Sequence, residues 1–142
     1  MTGLDTTILV ALVIREHELH ERATRTLQRE LGGGERFALT PEVVSEFIHI
    51  VTDARRFRQP LTMPQALADA RFWWTSAQTH QVFATSAVVE LCLSWMERHQ
   101  LGRKRILDTL LAASLHAGGV KRLFTANPVD FEVFDRFELV VP

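Results

Sequence analysis

Four acidic side chains stand where a folded chain has little ordinary use for them: Asp5, Glu46, Asp108 and Asp130. Asp5 is the single charge in Met1–Ile14, at the point where a short strand passes into the apolar run Ile8–Ile14. Glu46 falls at the edge of the buried arc of a helix that carries Val43, Val44, Phe47, Ile50 and Val51 inward. Asp108 is the only formal charge in the apolar stretch Ile106–Ala117, and Asp130 follows the turn Thr125-Ala126-Asn127-Pro128. A carboxylate removed from water is costly unless something pairs with it, hydrogen-bonds it or coordinates it. At Asp5 a helix N-cap remains open, because Asp5 or Thr6 could accept the first free N–H groups of the following helix. At Asp108 the helix dipole contributes about 0.3–1 kcal/mol. Desolvating an ion costs several kcal/mol, so something positive should face Asp108. Acids that converge need a cation, and oxygen-only ligands suit Mg2+ or Mn2+, not zinc. Divalent ions held by carboxylates serve phosphoryl transfer, activating water and stabilising the leaving oxygen of an in-line displacement.

The elements that must position these acids read as alternating strands and helices. Met1–Ile14 is a strand leading into an apolar stretch. Glu16–Leu31 is an exposed amphipathic helix with Leu19, Ala23 and Leu27 on one stripe and Arg22, Arg25 and Arg29 on another side, ended by Gly32-Gly33-Gly34. Arg36–Leu39 is a short strand. Thr40-Pro41-Glu42 then supplies the cap, first-turn proline and first-turn acid of a helix to about Thr52. On its wheel Glu42 and Asp53 fall towards solvent. Thr62-Met63-Pro64 starts a helix to about Thr75, Gln81–Ala84 is a third short strand, and Thr85-Ser86 caps a helix to about His99. Ile106–Ala117 is apolar almost all round and should be buried. Val120–Thr125 and Phe137–Val141 are the remaining strands. Strands separated by helices of this length pair in parallel through right-handed crossovers, in a sheet covered on both faces. Ligands of such sheets bind beyond the carboxyl ends of the strands. Asp5 and Asn127/Asp130 follow strands, Glu46 lies on the helix after the second strand, and Asp108 opens a buried helix, so one sheet edge can gather all four.

The bulk numbers narrow the class. A chain of 142 residues, 46% hydrophobic and 23% charged, suits one domain with a real core. Its longest apolar run is too short to span a bilayer and no basic segment precedes it, so neither a membrane span nor a signal peptide is expected. The single cysteine, Cys92, excludes an internal disulfide and a thiolate zinc site, and a cytoplasmic protein is the natural expectation. With a net charge of −1, contact with a polyanion must come from local patches. No Gly-Lys-Ser/Thr follows the glycines, and no strand runs into a Gly-rich turn, which disfavours nucleotide-cofactor enzymes.

Taken in order, four segments resemble the motifs of PIN-domain nucleases. They are Leu4-Asp5-Thr6-Thr7 before an apolar helix, Ser45-Glu46-Phe47, Leu107-Asp108-Thr109-Leu110-Leu111-Ala112-Ala113, and Leu123-Phe124-Thr125-Ala126-Asn127-Pro128-Val129-Asp130-Phe131. The match spans essentially the whole chain, and the size and single-domain layout over residues 1–142 resemble the VapC toxins of bacterial toxin–antitoxin pairs. The resemblance implies an α/β fold, a PIN-like three-layer α/β/α sandwich with a central five-stranded parallel sheet. It implies a Mg2+/Mn2+-dependent endoribonuclease that leaves 5′-phosphate and 3′-hydroxyl ends, an inhibiting cognate antitoxin and a homodimer. Asp5, Glu46, Asp108 and Asp130 match the family's acidic positions. Asp5, Asp108 and Asp130 would hold the metal directly or through water, and Glu46 would complete the cluster or orient the attacking water. Thr125 and Asn127 match polar supporting positions, and Thr6 is grouped with them. Thr7 departs from the pattern, since the family very often has asparagine there.

Two basic patches are candidate RNA contacts: Arg55-Arg56-Phe57-Arg58, with Phe57 to stack a base, and Arg103-Lys104-Arg105. Solvated charge runs are their ordinary alternative. Trp73 and Trp74, with Phe72, belong either to the core or to a dimer or antitoxin surface. His17 and His20 have metal-ligand spacing without partner ligands nearby and are expected on an exposed helix surface. Two other functions stand beside the nuclease. One is a PIN-like module that binds RNA or a partner without cleavage, against which the four acids argue. The other is a receiver-type phosphoacceptor, which needs an aspartate after the third strand, where this chain has Thr85-Ser86.

Overall fold

The computed structural model describes every residue, Met1–Pro142. Five short strands form one sheet: β1 (Thr2–Leu4), β2 (Phe37–Leu39), β3 (Thr79–Gln81), β4 (Arg122–Phe124) and β5 (Glu138–Val140). Their spatial order is β3-β2-β1-β4-β5 and every pairing is parallel. β1 and β2 are buried at every residue, as strands covered on both faces must be, whereas the edge strand β3 is largely exposed. The chain fills β2 and β3 on one side of β1, then crosses back to β4 on the other. The strand order therefore reverses between β1 and β4, which opens a crevice at their carboxyl ends. Leu4 lies opposite Phe124, so these two strands finish level there.

Seven helices cover the sheet: α1 (Thr6–Val13), α2 (His20–Gly32), α3 (Pro41–Val51), α4 (Met63–Thr75), α5 (Ser86–Arg98), α6 (Ile106–Ala117) and α7 (Val129–Glu132). α1 packs on α2 and α3, and α3 on α4, while α5 packs along α6 and α6 on α7. Right-handed crossovers put the first set on one face and α5 and α6 on the other. Local chemistry sets the starts. The Thr40 hydroxyl accepts from Val43 N–H at 3.4 Å ahead of Pro41, Thr62 and Gln65 form a reciprocal capping box, and Thr85 accepts from Val88 N–H. α6 lies so close to β1 that a Cβ on Gly3 would collide with the Leu115 side chain. No helix is long and apolar enough to cross a membrane.

Several expectations shift. α2 begins at His20, not Glu16, because residues 15–19 turn the chain. There Leu19 N–H donates to His17 Nδ1 at 3.1 Å, and His20 Nδ1 lies 2.9 Å from the Ala11 carbonyl. The two histidines are half-buried joints between α1 and α2, not an exposed surface. β3 is Thr79–Gln81, not Gln81–Ala84: Gln81 already pairs with Leu39, and after the Val82 N–H bond to the Leu39 carbonyl the ladder ends. α6 is buried from Leu111 to Leu115, but Ile106 and Leu107 are 50% and 53% exposed, since its first turn projects past the sheet edge. Trp73 and Trp74 are half-buried against the core, with Trp74 edge-on to Phe83, while Phe72 is exposed. Cys92 is a buried core residue.

Candidate active site

β1 delivers Asp5 to the sheet edge, where its N–H donates to the Phe124 carbonyl at 3.0 Å. Asp5 occupies the N-cap position of α1, yet its side chain makes no capping bond. Its Oδ2 instead accepts from the Thr7 and Thr125 hydroxyls, each at 2.7 Å. Thr7 Oγ1 in turn accepts from Ala126 N–H, and Thr125 Oγ1 from Asn127 N–H. Two hydroxyls thus tie the carboxylate to the turn after β4. Asp5 is buried, which pushes its carboxyl above the usual range; the Thr125 and Thr7 hydroxyls pull it back, and the nearby Glu46 charge raises it further.

α3 brings Glu46 to the same edge, where its Oε2 accepts from the Thr6 hydroxyl at 2.7 Å. α6 brings Asp108, whose carboxyl is pushed up to about 6 by burial first, then by the charges of Asp5, Asp130 and Glu46, against a lowering by Arg105. Arg105 is the positive group that Asp108 requires. Its Nε lies 3.5 Å from Asp108 Oδ2 and its Nη1 lies 3.6 Å from Asp130 Oδ1. Its Nη2 donates to the Asp130 carbonyl, and its own carbonyl accepts from the Thr109 hydroxyl.

α3 and α6 meet beyond the end of β1 and enclose a cavity of about 20 Å3, lined by Asp5, Thr6, Glu42, Val43, Glu46, Leu107, Asp108 and Leu111. That is room for one water-sized occupant. Three of the four expected acids share its wall. Asp130 lies outside the lining and reaches the group through Arg105 and Asp108. Glu42, expected towards solvent, is in the wall and has a buried Oε2 with no hydrogen-bond partner. A wheel measures a residue only against its own helix's core, and here the first turn of α3 faces α6. The spacing did carry a signal: Glu42 and Glu46 are one turn apart and share a face. No three His, Cys, Asp or Glu side chains stand close enough together to hold one ion as the side chains lie. The donors are nonetheless all hard oxygens in a buried, charge-rich crevice. Mg2+ keeps several waters and takes only one or two carboxylates directly, so the residues fit such an ion without a preassembled cage.

The supporting positions divide. Thr6 and Thr125 act through their hydroxyls, and Asn127 through its backbone N–H. Thr7, set apart as a departure from the family pattern, binds Asp5 as closely as Thr125 does. Of the basic residues, Arg55 and Arg56 pair with Asp53 at 3.1 and 3.6 Å. The Arg55 contacts hold the Asp53 carboxyl below, and its partner's guanidinium above, their usual values. Phe57 is half-buried against the core, and Arg58 is exposed. Arg103 and Lys104 are exposed in a 3-10 turn (Arg103–Arg105) that runs straight into α6, beside Arg105 and Asp108.

A sequence model described as the PIN domain matches residues 4–136. No curated protein sequence matches the chain. Among solved structures, the Mycobacterium tuberculosis toxin VapC20, described as cleaving the Sarcin-Ricin loop, superposes with a TM-score of 0.70 at 18% identity, covering 87% of each chain. VapBC2 from Rickettsia felis, bound to a DNA fragment from its promoter, gives 0.68 at 15% identity, covering 99% of this chain and 97% of that one. A toxin–antitoxin complex from Klebsiella pneumoniae gives 0.62 at 14% identity over 99% and 96%. At these identities the likeness is one of fold.

Proposed function

The chain belongs to the PIN domain family, and on that premise we propose that it is a divalent-metal-dependent endoribonuclease, the toxin of a VapBC-type toxin–antitoxin pair. The observation that carries the reading is the gathering of Asp5, Glu46 and Asp108 around one small cavity at the switch between β1 and β4, with Asp130 coupled to it. So many carboxylates against one guanidinium make a site short of positive charge.

In this reading Asp5, Asp108 and Asp130 would hold Mg2+ or Mn2+ directly or through water. When bound, the ion supplies Lewis-acid neutralisation of the phosphoryl oxygens and a more acidic water. The protein supplies the rest. Thr7 and Thr125 fix the Asp5 carboxylate, and Thr6 fixes Glu46. Glu46 orients the attacking water and takes its proton. Water oxygen bonds to phosphorus as the P–O3′ bond breaks, and the departing oxygen gains a proton, leaving a 5′-phosphate and a 3′-hydroxyl. Exposed Arg103, Lys104 and Arg58 are free to bind flanking phosphates, whereas Arg55 and Arg56 must first leave Asp53. A cognate antitoxin, a homodimer and a cytoplasmic location belong to the same proposal. The antitoxin is supported by the toxin–antitoxin assemblies that share the fold, and the exposed Leu67 and Phe72, side by side on α4, offer an apolar surface for it.

The test is RNA cleavage in magnesium against EDTA, with wild type, Asp5→Asn and Asp108→Asn. Cleavage that needs magnesium and is lost in both variants supports the reading. Wild-type rates from either variant, or RNA bound but never cut by the wild type, overturn it, the latter in favour of a binding module.

A further inference from the structure

Glu42 occupies the first turn of α3, where an acid is ordinarily explained by the helix dipole and left in water. This one does not behave so. It lines the cavity with Asp5, Glu46 and Asp108, and its Oε2 is fully buried without a partner. It is not needed as a cap, because Thr40 already accepts the Val43 N–H. The dipole's benefit is offset by Glu46, which stands one turn on with a like charge on the same face. A buried carboxylate oxygen with no donor, facing further carboxylates, is an acceptor whose natural partner is a cation or a water of its shell.

We propose that Glu42 is a fifth carboxylate of this site and takes part in binding its divalent ion, through the unpartnered oxygen in the α3–α6 cavity. The inference rests on the metal-dependent reading above and adds a residue to it. Glu42 and Glu46 then form one wall of the site from successive turns of α3, with Asp5 and Asp108 opposite. Because the first turn of α3 is set by Thr40 and Pro41, the position of Glu42 is fixed by the same elements that fix the rest.

The test is Mn2+ binding to the full-length protein, followed by water-proton relaxation, in wild type, Glu42→Gln and Glu21→Gln. Glutamine keeps the shape and removes the charge. Glu21 is an exposed first-turn acid of α2 and controls for loss of one charge. Glu42→Gln should weaken Mn2+ binding by about tenfold or more, while Glu21→Gln leaves it unchanged. In EDTA, Glu42→Gln should melt no lower than wild type, because glutamine keeps the shape and removes a like charge beside Glu46. Unchanged Mn2+ affinity in a folded Glu42→Gln overturns the Glu42 assignment and leaves the nuclease reading standing. Absence of Mn2+ binding by the wild type overturns both.

Discussion

Removing one of the site's own acids should make the metal-free protein more stable, and Asp108→Asn is the clearest case. Asp108 titrates at about 6 in the folded protein against an ordinary 3.8, chiefly because it is buried among other carboxylates. At 1.36 kcal/mol per pH unit, that difference sets an upper bound of roughly 3 kcal/mol on the cost of keeping it ionised. The side chain is 31% exposed, so solvent screening reduces this to about 1–2 kcal/mol. The folded carboxyl holds its proton to higher pH than the unfolded one. Stability is therefore lost as pH rises from near 4 through about 6, and above that the full penalty applies. Asparagine carries no such penalty at any pH. In EDTA the variant should melt about 3–6 °C above wild type near pH 7.5, with the gap closing near pH 4.5. Melting curves by circular dichroism at the two pH values read this directly. A variant that melts below wild type at neutral pH, or a gap that does not change with pH, would refute the reasoning.

Thr125→Val removes one of the two hydroxyls that hold Asp5; it should lower RNA cleavage by about 10–100-fold and cost about 1–2 kcal/mol in urea unfolding, with Thr125→Ser close to wild type. Gly3→Ala should destabilise by about 1–3 kcal/mol in the same assay, because the new methyl must displace Leu115 between β1 and α6. Replacing Arg103 and Lys104 by alanine should flatten the salt dependence of RNA binding, its slope falling by about 0.7 for each phosphate no longer neutralised. The same change at Arg55 and Arg56 should alter it less, since Asp53 already engages both.

The sheet and the principal acids are legible in the sequence because each acid interrupts an apolar or turn-forming context that one helix or strand is enough to define. Asp5 after β1 and Asp108 in α6 need no knowledge of their neighbours to look out of place. What escapes a sequence reading depends on contacts between elements. Glu42 faces outward on the wheel of α3 and is turned inward only by the approach of α6. Thr7 stands where the resemblance leads one to expect asparagine, yet its hydroxyl donates to Asp5 at 2.7 Å. Phe57 sits in a basic loop, and only the packing of that loop on the core half-buries the ring. His17 and His20 read as exposed helix residues, but the chain turns between them, His17 Nδ1 accepts from Leu19 N–H and His20 Nδ1 lies against the Ala11 carbonyl on α1. The shift of β3 follows from its place at the edge, where the register with β2 decides the span and its own side chains are largely solvated. Arg105 ends a run that reads as surface charge, and its inward turn is visible only once α6 and α7 are packed together.

The nuclease proposal requires that the crevice between β1 and β4 hold a divalent ion through its carboxylates. Crystals soaked in Mn2+ and measured near the manganese absorption edge test it without reference to activity. The expected result is an anomalous peak against Asp5 and Asp108, with Asp130, Glu46 and Glu42 no further than one intervening water. Manganese found only elsewhere on the molecule, or not at all, would contradict it.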